Sequence, residues 1–169
     1  MANLSLTRVN QKLAQARVLL ENGNDSTLAL LHNNSLKEAI AFHLVCAYRH
    51  YLREIAETYW LKGIAAIHSE ADLMNALDVA KKQPAEAGEL ISLRKDVSSW
   101  LSQLHLYYES LWLVPVSADN KYEFRNNLID TVNLEPNFNT ASVTLELLVL
   151  WHQSFLVLVA RQRETSAEF

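Results

Sequence analysis

SLKEAIAFHLVCAYRHYLREIAETYWLK, residues 35–62, runs without a glycine or a proline. Wound at about 100° per residue it places Leu36, Ile40, Leu44, Ala47, Tyr51 and Ile55 on one stripe, which Val45, Tyr48, Leu52, Ala56 and Tyr59 widen. A helix apolar over so much of its circumference needs neighbours on more than one side, so this stretch is predicted to be the central helix of a bundle. Ser35 with Glu38 three residues on spells a capping-box start, and Gly63 stands where a left-handed residue would close the far end. The polar strip that remains holds His43, His50, Glu54 and Glu57, bordered by Arg49 and Arg53.

The rest of the chain reads as company for that helix. Residues 4–21 repeat Leu6, Val9, Leu13, Ala16 and Leu20 at spacings of three and four, an amphipathic surface helix stopped by the run Glu21-Asn22-Gly23-Asn24-Asp25. A short helical turn over Leu28–His32 is expected before a break at Asn33-Asn34. After Gly63, Ser69 caps a third helix of about 70–82 with Leu73, Met74, Leu77 and Ala80 on its apolar face. Residues 86–113 read as one long fourth helix that Pro115 ends. The Asn- and Asp-rich connection of about 114–139 is either an irregular loop or, over Tyr122–Val132, a short helix. The last helix, about 141–163, is apolar nearly all round, with Glu146, Gln153, Ser154 and Arg161 on its one polar side; it should pack in the interior beside the central helix, ahead of a frayed tail, ETSAEF. The expectation is all-α: a single antiparallel bundle of about five helices with one long irregular connection, forming one domain over 1–169.

Composition narrows the function classes. A chain of 169 residues buries roughly 70% of its unfolded surface and needs no staples. Its net charge of -4 supplies no basic field for nucleic acid or for anionic lipid, so neither is an expected partner. Cys46 is the only cysteine, which rules out an intramolecular disulfide and suits a reducing cytoplasm. The first twenty residues lack the continuous apolar core of a signal peptide. The nearest thing to a membrane span, VTLELLVLWHQSFLVLVA at 143–160, contains Glu146, His152, Gln153 and Ser154 and is read as a core helix. Gly23, Gly63 and Gly88 are isolated, so no phosphate loop is present, and no Gly-x-Ser-x-Gly occurs.

Two kinds of site remain. His43, His50, Glu54 and Glu57 project within about 60° of one another, and a histidine followed one turn later by a glutamate can chelate a divalent ion. If the helices carrying His105 and His152 face the same cavity, His43, His50, Glu54, His105 and His152 form a metal-binding set, with neutral imidazole as the ligand form. The plainer reading makes His50 and Glu54 a surface hydrogen-bonded pair and His152 a core histidine bonded to a carbonyl or a tyrosine hydroxyl. No Glu-x-x-His occurs, which disfavours di-iron bundle chemistry. Against a metal stands the aromatic set: Trp60, Trp112 and Tyr107 are expected to line a groove or a contact between copies, because two helices carry more apolar surface than five elements cover.

EAIAFHLVCAYRHYLREIAE, between an amphipathic first helix and a late Trp-containing helix, is similar in style to small bacterial helical-bundle families of unknown function. It also resembles HEPN domains, whose ribonuclease members space an arginine four to six residues before a histidine; here Arg49 and His50 adjoin. DinB-like metal bundles use a lone histidine and a later His-x-x-x-His, but Leu148 and Leu156 flank His152 at that spacing. These resemblances imply a helical fold and transfer no functional residue. The function expected is association with itself or another protein, without catalysis or cofactor; the alternative is a divalent-metal bundle.

Overall fold

A computed structural model describes residues 4–23, 30–113 and 138–166. They form six α-helices and no strand: α1 (Leu4–Asn22), α2 (Leu30–Thr58), α3 (Glu70–Val79), α4 (Ala85–Lys95), α5 (Trp100–Ser110) and α6 (Leu145–Ser166), with 3-10 turns at Ile64–Ala66 and Thr140–Ser142. The expected irregular connection lies outside the described residues up to position 137.

α2 touches every other helix. Its buried set, which includes Ile40, Leu44, Ala47, Tyr48, Tyr51, Leu52 and Ile55, covers most of its circumference, as the apolar pattern requires. α1 lies along it through Val9, Leu13, Ala16 and Leu20. Phe155 of α6 meets the rings of Tyr48, Tyr51 and Trp100 at centroid distances of 6.3, 6.2 and 5.5 Å, so one side chain joins α2, α5 and α6. Trp151 meets Tyr107 and Phe138 in the same layer.

Four sequence expectations are corrected. α2 starts at Leu30, not Ser35: the Asn33-Asn34 pair lies within the helix, and the Ser35 hydroxyl bonds back to the Leu31 carbonyl one turn earlier (2.9 Å) and caps nothing. The long fourth helix is two. Asp96 accepts bonds from the Ser98 amide (2.9 Å) and hydroxyl (2.6 Å), and Ser99 caps α5 by accepting from the Ser102 amide (3.1 Å), so short polar side chains compete successfully with the helical ladder. α6 is not enclosed: Leu150 and Val157 are 57% and 66% exposed, leaving one apolar face bare. Residues 164–166 of the expected frayed tail belong to that helix. The cap at Ser69 is as expected, and Asp72 completes it as a capping box.

Gly63 does take a left-handed conformation, but α2 has already closed on a different residue. Leu61 donates to the Ala56 carbonyl (2.9 Å) and Trp60 to Glu57 (3.0 Å), a Schellman pattern whose left-handed position is Trp60, at φ 55°. α3 ends the same way on Lys81, at φ 55°, with Lys82 donating to Leu77 (3.0 Å). The Lys82 ammonium then reaches the Tyr59 carbonyl (2.6 Å), placing a cation at the negative end of α2 and tying the two turns together.

Trp60 is 83% exposed, so its ring adds little packing to offset a conformation in which Cβ crowds the backbone. Trp60→Gly is expected to raise stability by about 1 kcal/mol, read as a higher urea midpoint with unchanged slope. Leu61→Ala, one residue on and buried, should lower stability by about 2 kcal/mol.

Candidate functional site

The five candidate ligands belong to different environments. Glu54 is buried in mid-bundle, where the Arg163 guanidinium of α6 takes both carboxylate oxygens (Nε to Oε1 2.7 Å, Nη2 to Oε2 2.9 Å) and spends a third donor on Asn10 (2.9 Å). His50 therefore does not pair with Glu54. It sits half-buried, its pKa lowered by burial and by Arg53, Arg8 and Lys12, a cationic setting that opposes a divalent ion. His43 is lowered likewise by burial and by Lys12, and its Nδ1 makes no hydrogen bond. His152 bonds through Nε2 to the Leu13 carbonyl (3.0 Å), the core-histidine role. His105 uses Nδ1 on the Leu101 carbonyl (3.0 Å) and lies edge-on to Tyr48 (5.0 Å). Among the described residues no group of three or more His, Cys, Asp or Glu side chains is arranged to hold a metal ion. Sequence spacing set azimuths on single helices, whereas convergence depends on how those helices are rotated against one another.

The Glu54–Arg163 pair is one edge of a polar cluster between α2, α4 and α6. Tyr51 donates to Gln162 (2.7 Å), Gln162 to Glu89 (2.7 Å), and Arg161 also bonds Glu89. The Tyr59 and Ser166 hydroxyls both reach the buried Glu86. A cavity of about 260 Å³ opens between Tyr51, Glu54, Thr58, Tyr59, Arg163 and Ser166. Each of these polar side chains already has a protein partner, so the cluster reads as a clamp fixing the helix register. Arg163 was invisible as a partner because 109 positions separate it from Glu54.

Open apolar surface occurs in a groove of about 390 Å³ between α2 and the end of α5, lined by Ser35, Glu38, Ala39, Phe42, Tyr108, Leu111 and Trp112. Phe42, Leu111 and Trp112 are 46%, 36% and 74% exposed. Lys12 lies 5.9 Å over the Phe42 ring from the α1 side. Of the aromatics expected in a groove, Trp112 is there. Tyr107 is instead buried against Trp151, and Tyr108, the next residue round α5, lines the groove. Trp60 stands apart from the groove's lining, at the end of α2.

Among the described residues no helix is long and apolar enough to cross a membrane. A family model described as "Family of unknown function" (DUF6586) matches residues 1–169. No curated protein and no solved structure matches.

Two measurements bear on this site. Burial, ahead of the Arg94 charge, pushes the His105 imidazole down to about 4. The unfolded chain takes up that proton near pH 6.5 and the folded chain only near 4, so stability should fall as pH drops through this window, by on the order of 2 kcal/mol at pH 4.5. Urea melts at pH 7 and 4.5 should show the loss, and His105→Phe should remove its share, leaving that of His43, His50 and His152, which are lowered in the same direction. Tag-free protein is expected to carry no stoichiometric divalent metal; an ion that is present and is lost in His50→Ala would reinstate the ligand set.

Proposed function

We propose that this chain, which belongs to the DUF6586 family of unknown function along its whole length, acts by protein–protein association and not by catalysis. The observation that carries this reading is the groove between α2 and the end of α5, where Phe42, Tyr108, Leu111 and Trp112 share one concave surface and Phe42, Leu111 and Trp112 remain accessible. Contiguous apolar surface rimmed by polar groups is what an association site needs and what an isolated fold avoids. The groove's dimensions and lining suit an amphipathic helix, whose apolar ridge at spacings of three and four would occupy it. Glu38, exposed on the rim, favours a ridge flanked by a lysine or arginine. The lone thiol of Cys46, half-buried and with its pKa raised by burial, suits a reducing compartment, and the proposed location is the cytoplasm.

A photo-reactive phenylalanine analogue placed at position 112 in cells of the native host tests this. Irradiation should give an adduct with another polypeptide that is absent when the analogue is at exposed Asn75 on α3, and Phe42→Glu should reduce the yield at least about fivefold. Equal labelling at 112 and 75, or none at either, would remove the groove from consideration as a docking surface.

A further inference from the structure

α6 carries the second large bare face, and its register says what would cover it. Leu150 and Val157 lie seven residues apart, so both point the same way, into and beside a shallow groove of about 410 Å³ whose other walls include Leu93, Trp100 and Leu158. On the same stripe Glu146 lies one turn before Leu150, Arg161 lies one turn after Val157, and Gln153 and Ser154 occupy the middle. Arg161 keeps a side chain 57% exposed despite its contact with Glu89. Among the described residues Glu146 forms no ion pair.

These positions are palindromic. Positions 146 and 161, 150 and 157, and 153 and 154 are each symmetric about the point between Gln153 and Ser154. A second copy laid antiparallel along this face, on a two-fold axis through that point, sets each Leu150 against Val157 of the other copy and each Glu146 against Arg161 of the other copy. Every pairing then occurs twice, as an isologous contact demands. A parallel arrangement would instead oppose Glu146 to Glu146 and Arg161 to Arg161, which like-charge repulsion disfavours. Ser154, small and at the crossing point, lets the two helices approach closely.

We infer that the protein forms a two-fold dimer through antiparallel α6–α6 pairing. This deepens the association reading by naming a second copy of the chain as one partner, and it uses a surface separate from the α2–α5 groove.

Sedimentation equilibrium of the full chain, from micromolar to a few hundred micromolar, tests it. The expected result is a mass of two chains at the upper concentrations. Leu150→Lys and Val157→Glu should each weaken the dimer at least about tenfold while leaving the melting curve in place at concentrations where the parent is monomeric, since both side chains are exposed. The double variant should restore the dimer and make it salt-sensitive, because the two new charges meet across the axis but sit two turns apart within one chain. A monomer at every concentration, single variants that dimerise like the parent, or a double variant no better than the singles would each overturn the pairing. Cross-linking at position 112 is independent of these outcomes, so loss of the dimer with the adduct retained removes only the α6 geometry, and the reverse removes only the groove.

Discussion

The structure depends on the need to cover α2 on nearly every side. Its buried side chains include four of the largest in the core, Tyr48, Ile40, Leu44 and Leu52, and each large apolar side chain fully buried contributes roughly 1.5–3 kcal/mol. No single partner helix can cover that circumference, since one neighbour shields only one stripe. α1 takes one flank, α6 lies against both α1 and α2, α5 joins them through the Phe155 aromatic contacts, and α3 and α4 cover the C-terminal half. The other helices are arranged by the helix they enclose.

Polar groups drawn into that enclosure fix the register. Packed apolar stripes tolerate sliding by a turn; a bidentate Arg163–Glu54 pair with Arg163 also held by Asn10 does not, because any slip leaves a buried carboxylate without its cation. The relay from Tyr51 through Gln162 to Glu89 ties α2, α6 and α4 in the same way, and His152 on the Leu13 carbonyl fastens α6 to α1. Burial holds both His152 and His105 towards the neutral form, in which an imidazole can be enclosed at little cost. Glu70 makes a further tie: burial opposes its charge, but its own backbone amide, the Tyr48 hydroxyl and Arg94 outweigh that and hold its carboxyl below the usual range.

What is left over after α2 is covered explains where surface stays open. The side of α2 bearing Leu31, Ser35, Glu38, Phe42 and Arg49 has no helix laid over it, and α6, needed only on its inner side, presents Leu150, Leu156 and Val157 outward. Both faces combine exposed apolar side chains with charge at their edges, as a surface that another polypeptide covers does. Association is therefore a reading of the same excess of apolar helix surface that builds the core.

The local pattern of the chain determined the helical class, the central role of residues 35–62, the inner face of α1 and the Ser69 cap, because each rests on periodicity or on contacts within four residues. It misread places where local signals compete. Asn33 and Asn34 looked like a break but lie within α2, whose packing begins only at Leu36, while Asp96, Ser98 and Ser99 looked like part of a helix yet bond their own backbone and end it. Within the candidate site, exposure of Trp112 was legible, whereas the choice between the neighbouring Tyr107 and Tyr108 depended on where Trp151 of α6 lies. Only the tertiary structure gave Glu54 to Arg163, His152 to Leu13 and His105 to Tyr48, so that three of the five candidate ligands are engaged apart from one another. Spacing along one helix sets a side chain's azimuth on that helix, but which side chain it meets depends on the rotation and register of another helix, and those are set by packing over the whole bundle.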